Sequence, residues 1–161
     1  MESSPLQRLA SRDGLTWAAM SVGLQRGWLT KDDVARAAVE WLSQNPDENL
    51  QPVLRLAASE HDDPQDVQKW LGQSNEATDR ETEEEATDRW RWAFLADLYD
   101  DERMDGEAKM QRLEELISEF GYPADMDACS RYYFLQPGAT DISPLAALRE
   151  LVPRLESRIF G

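Results

Sequence analysis

Thr82-Glu-Glu-Glu-Ala-Thr-Asp-Arg-Trp-Arg-Trp-Ala-Phe-Leu-Ala-Asp-Leu-Tyr-Asp-Asp-Glu-Arg103 reads as one long helix. Ala86, Trp90, Phe94 and Leu98 recur at every fourth position, and Ala93 and Leu95 widen them into a stripe. Side chains at that spacing share a helix face. Glu83, Glu84 and Glu85 suit the first turn, where the helix dipole favours anions, and Asp105-Gly106 breaks the run. Trp90 and Trp92 stand two positions apart, so their indoles point about 200° apart around the axis and do not face one core. A helix apolar on several sides is covered on several sides. The segment is therefore expected at the centre of an all-α fold, with Trp92 either packed in a second layer or exposed as an anchor.

The flanking segments agree. Downstream, Met110, Leu113, Ile117 and Phe120 mark a helix stopped by Gly121 and Pro123. A short helix is expected over 125–134, then a loop through Pro137-Gly138. Ser143-Pro144 opens a last helix on Leu145, Leu148, Leu151, Val152, Leu155 and Ile159, with Pro153 expected to kink or break it.

Upstream, Leu15, Ala18, Ala19 and Val22 have helical spacing and Gly27 supplies a stop. Thr30 and Asp33 form a capping-box signature ahead of Val34, Ala37, Ala38, Trp41 and Leu42, and Asn45-Pro46 ends that helix. Asn49 or Asp47 should begin the next, with Leu50, Val53, Leu54 and Ala57 inside and Pro52 in the first turn. Asp63-Pro64 caps a helix burying Val67, Trp70 and Leu71. The polar stretch 73–80 reads as a mobile loop. No segment alternates with period two, and no fixed repeat is present. The expectation is an all-α single domain, residues 1–161, of seven or eight helices packed as antiparallel hairpins.

Composition sets the function classes. The chain has 161 residues, 41% hydrophobic and six of them Trp, which suits a folded core rather than a disordered acidic chain. Its net charge is −15, and residues 46–110, with 19 acids against seven bases, hold −12 of it. Nucleic acid and anionic membranes repel such a surface, whereas a basic protein is steered towards it. The single Cys129 rules out an intrachain disulfide, and neither a signal peptide nor a membrane-spanning apolar run is visible, so the cytoplasm is expected.

Within the acidic section, Asp97, Asp100 and Asp101 fall at i, i+3 and i+4 near a helix C-terminus. Like charges at that spacing, and anions at that end, both work against the helix. Positions that break a local rule nominate a functional surface. Glu102, Asp105 and Glu107 extend it, and Trp92 joins it as a candidate hot spot. The competing reading is that one or two of these acids cap the next helix while Arg103 and Lys109 neutralise the others.

Catalytic signatures are sparse. His61 and Cys129 are the only residues of their types, and neither lies in a nucleophile motif. Acids between 97 and 107 lack calcium-loop spacing, a single His does not supply a di-iron site, and no Gly-rich phosphate loop occurs. No cofactor, metal site or catalytic residue is expected. A carboxylate pair acting as acid and base stays open, because an acidic cleft can raise the pKa of one member.

Trp92-Ala-Phe-Leu-Ala-Asp-Leu-Tyr99, Leu113-Glu-Glu-Leu-Ile-Ser-Glu-Phe-Gly-Tyr-Pro123, Arg131-Tyr132-Tyr133 and Gly27-Trp28-Leu29 carry a resemblance. Together they resemble a family of uncharacterised small bacterial helical proteins associated with polymorphic-toxin loci. The motifs are packing and turn residues spread over most of the chain. The resemblance implies an immunity factor: a cytoplasmic, non-enzymatic protein that binds and blocks a basic toxin domain, a nuclease being one candidate class. The alternatives are an adaptor or scaffold whose acidity serves solubility, and a carboxylate-dependent hydrolase.

Overall fold

The computed structural model describes residues 4–130 and 143–161. Among these the protein is all-helical: α1 (Pro5–Ser11), α2 (Trp17–Arg26), α3 (Lys31–Gln44), α4 (Gln51–Ala57), α5 (Pro64–Ala77), α6 (Glu83–Asp100), α7 (Gly106–Glu119), a 3-10 helix (Ala124–Cys129) and α8 (Pro144–Phe160). No helix of the described residues is long and apolar enough to cross a membrane. The backbone gathers into two compact units. One is Leu9–Trp90; the other comprises the described residues of 1–8 and 91–161.

In the unit 9–90, α3 packs on α4, α4 on α5, and α5 on α2. The caps set the helix ends. Thr16 accepts from the Ala19 N–H and opens α2, which closes on Gly27 at φ 76°, a left-handed turn natural to glycine. Thr30 and Asp33 form both halves of the capping box that starts α3. Asp63 accepts from the Gln65 N–H, with Pro64 as the first residue of α5. Val34, Ala38, Val53, Leu56, Val67 and Leu71 make the interior. Trp90 enters from α6, its indole N–H donating to the Ala19 carbonyl at 2.7 Å and its ring 5.3 Å from that of Trp28.

Two expectations are corrected here. The stretch 73–80 is not loop from its start, because α5 continues to Ala77. Its hydroxyls bond back onto the ladder: Ser74 donates to the Trp70 carbonyl and Thr78 to that of Ser74, both at 2.8 Å. Asn75 then ties down the connection, donating to the Glu81 carbonyl and accepting from the Glu81 N–H. Second, α4 begins one or more residues later than Asn49 or Asp47, with Leu50 before its first turn and no side-chain cap. Its two turns bury Val53 and Leu56 and leave Leu54 at the surface.

In the second unit, α7 and α8 pack on each other and on the 3-10 helix. Leu113, Leu116 and Ile117 of α7 are buried, as are Ala147, Leu148, Leu151 and Leu155 of α8. Gly121 and Tyr122, at φ 76° and 56°, turn the chain after α7. α8 runs through Pro153 unbroken; that residue is exposed, so the missing ladder bond lies on the solvent side. The short helix expected over 125–134 is the 3-10 helix, ending at Cys129. Residues 131–134 and the expected loop at Pro137-Gly138 lie outside the described residues. α1, seven residues long, had no counterpart in the sequence reading.

Candidate functional site

The acids nominated at the end of α6 are held by cations. Arg8, on α1, places Nε 3.3 Å from Asp97 Oδ1 and Nη2 2.9 Å from Asp100 Oδ2. Asp101 accepts from the Arg103 backbone N–H at 3.0 Å and from its Nε at 3.1 Å. These bonds, the side-chain one foremost, hold the Asp101 carboxyl below its ordinary 3.8. Lys109 donates to the Tyr99 carbonyl at 3.0 Å, putting a cation where the helix dipole wants one. Asp105 caps α7 by accepting from the Ala108 N–H. Glu107 is exposed in that helix's first turn, and exposed Glu102 makes no ion pair among the described residues.

Asp97 and Asp100 thus share one guanidinium, and Asp101 has its own. The pattern that opposed the helix in sequence is offset by a residue 89 positions from Asp97. Trp92 takes the packed alternative, and its nomination as a surface hot spot is corrected: it is 4% exposed, and its ring meets Phe160 edge-on at 4.9 Å. It is a packing residue of α6 and presents nothing at the surface.

A different arrangement lies in the unit 9–90. A cleft with a volume of about 610 Å³ runs between the start of α2, the outer end of α3 and the first turns of α6. Its lining includes Trp17 and Trp41, ring centroids 6.0 Å apart and planes crossing at 62°. Trp17 is buried and Trp41 half-buried. Four exposed carboxylates line it, Asp13, Glu40, Asp79 and Glu85. Among the described residues none of the four is in an ion pair. The Gln44 side-chain amide stands 3.5 Å from Glu40.

One wall is a polar network. Glu81, its side chain 6% exposed, accepts from the Thr16 hydroxyl with one oxygen and from Arg89 Nε, at 2.5 Å, with the other. Arg89 is the only Lys or Arg among the described lining residues, and Glu81 occupies it. Among the described residues the cleft therefore carries five carboxylates against one guanidinium. Such a site can hold a cation, its charge facing carboxylates and its flat or alkyl portion against indole. Among the described residues, no three His, Cys, Asp or Glu side chains are grouped to hold a metal ion.

Sequence reading missed this cleft because its acids come from four separate segments. Asp79 fell within the polar stretch 73–80, read as a loop, and Glu85 within an acidic run that a helix start explained. Cys129 is a small buried core residue, its thiol pushed by burial from 9.0 up to about 12.

A family described as uncharacterised proteins conserved in bacteria, DUF2247, matches residues 8–157. No curated protein matches the chain. No solved structure matches it either.

Proposed function

The chain belongs to this DUF2247 family of bacterial proteins, and on that premise we propose an immunity-type function: binding and blocking a basic toxin domain through an acidic surface. The observation that carries the reading is the set of four exposed carboxylates, Asp13, Glu40, Asp79 and Glu85, around one cleft with no cation matched to them among the described residues. A protein that grips a polyanion, as a nuclease does, presents Lys and Arg, and an acidic surface is attracted to that same face. Steering brings the partners together, and desolvated pairing at the cleft holds them. No turnover is involved, and the inhibitor acts by occupying the toxin's substrate face.

The test mixes the purified protein with the C-terminal domain of a toxin encoded beside it. The expected result is a complex that weakens steeply with salt, together with loss of toxicity in cells making both. No complex at low salt overturns the reading. A second reading, an adaptor whose acidity serves solubility, draws support from the pairing of Asp97 and Asp100 with Arg8 and of Asp101 with Arg103. It expects Asp→Asn changes at Asp13 and Asp79, paired with Glu→Gln at Glu40 and Glu85, to leave partner binding intact.

A further inference from the structure

We infer that the Trp17–Trp41 cleft is the receptor for an arginine side chain of the protein partner, an inference that rests on the binding function proposed above. Three features point to that occupant. The first is size: about 610 Å³ falls within the range of formed ligand pockets and admits a guanidinium with its alkyl stem. The second is charge: Asp13, Glu40, Asp79 and Glu85 remain for an incoming cation once Glu81 has taken Arg89. The third is the aromatic lining. Trp41 is half-buried and braced edge-on by Trp17, and both indoles line the cleft together with the carboxylates.

Arginine fits this combination better than lysine. A guanidinium is planar and weakly hydrated, stacks on an aromatic ring and pairs with carboxylates through several N–H groups. An ammonium is a compact, strongly hydrated charge and gains less from the indoles. The wall is set in advance, since Glu81 is fixed by Thr16 and Arg89, and its backbone by Asn75. That part of the lining needs no reordering when the cleft is filled.

The test titrates the full chain, with isotope-labelled indole N–H groups, with a neutral-ended Gly/Ser peptide carrying one Arg. Matched peptides carry citrulline or Lys in its place. The Arg peptide is expected to shift the Trp41 and Trp17 indole signals saturably, the Lys peptide to bind more weakly, and the citrulline peptide to leave them in place. The double variant E40Q/E85Q, altered only at exposed residues and checked for unchanged circular dichroism, is expected to bind about tenfold more weakly. Equal shifts from citrulline and Arg peptides, no saturable shift at Trp41, or unchanged affinity in the variant overturns the inference. The two proposals fail separately. A toxin complex that E40Q/E85Q forms as well as the wild type, but that is lost when Asp13 and Asp79 are neutralised as well, removes the arginine receptor and leaves the immunity reading. Arg-peptide binding in the cleft without any toxin complex does the reverse.

Discussion

The Trp90 indole lies against Gly23 so closely that a Cβ on Gly23 would stand 2.5 Å from Trp90 Cζ2. Gly23 opens the last turn of α2, and inside a helix glycine ordinarily costs about 1 kcal/mol relative to alanine. Here its lack of a side chain admits the largest fully buried residue among those described. Gly23→Ala is accordingly expected to destabilise the protein by about 1–3 kcal/mol, the cost of overpacking. Urea denaturation measures it, and a gain in stability would show that Trp90 has room to move.

Arg8 holds two carboxylates of α6. Arg8→Ala should cost about 0.5–1 kcal/mol, since these pairs are only partly shielded from water. The loss should shrink as salt screens the interaction. Denaturation midpoints at low and high ionic strength test both points. Toxin binding, if it runs through the cleft, should survive the change.

The Asp101 carboxyl sits below 3.8 because of Arg103. A depressed carboxylate contributes stability above its unfolded pKa and loses that contribution as pH falls through the folded one. Carboxyl carbon shifts followed by NMR through the acid range should show Asp101 protonating below its ordinary value. Arg103→Ala should return it there. An unchanged titration would assign the shift to another group.

Cys129 gives the opposite sign at the alkaline end. Its thiol is raised to about 12 by burial, so above 9.0 the unfolded chain releases a proton that the folded chain keeps. The unfolded state then binds fewer protons, and stability falls as pH rises, by up to about 1.4 kcal/mol per unit until the folded value is reached. Cys129→Ala should flatten that part of the profile. The comparison is urea midpoints for both proteins on either side of the ordinary thiol pKa.

Local chemistry made most of the helices readable. Thr30-Asp33, Asp63-Pro64, Ser143-Pro144 and Gly27 each act through atoms within four residues, and each does in the structure what its spacing predicts. The misreadings share a cause. Residues 73–77 have a loop-like composition, yet Ser74 bonds within the helix and Asn75 bonds to a residue six positions on. The acids of α6 looked unfavourable because Arg8 lies far away in sequence. Trp92 was left open between core and surface, and its partner Phe160 lies 68 positions further along the chain. The cleft was illegible for the same reason: its acids lie in different segments, and only tertiary structure collects them.

Thr16 uses both sides of one hydroxyl. Its oxygen accepts the Ala19 N–H, and its proton goes to Glu81, which in turn holds Arg89. Trp17 is the next residue in the chain. The two bonds of Thr16 therefore pin the backbone from which that indole projects. Where α2 starts is thus coupled, through one hydroxyl, to the segment that leads into α6, and one of the two indoles lining the cleft is carried on that joint.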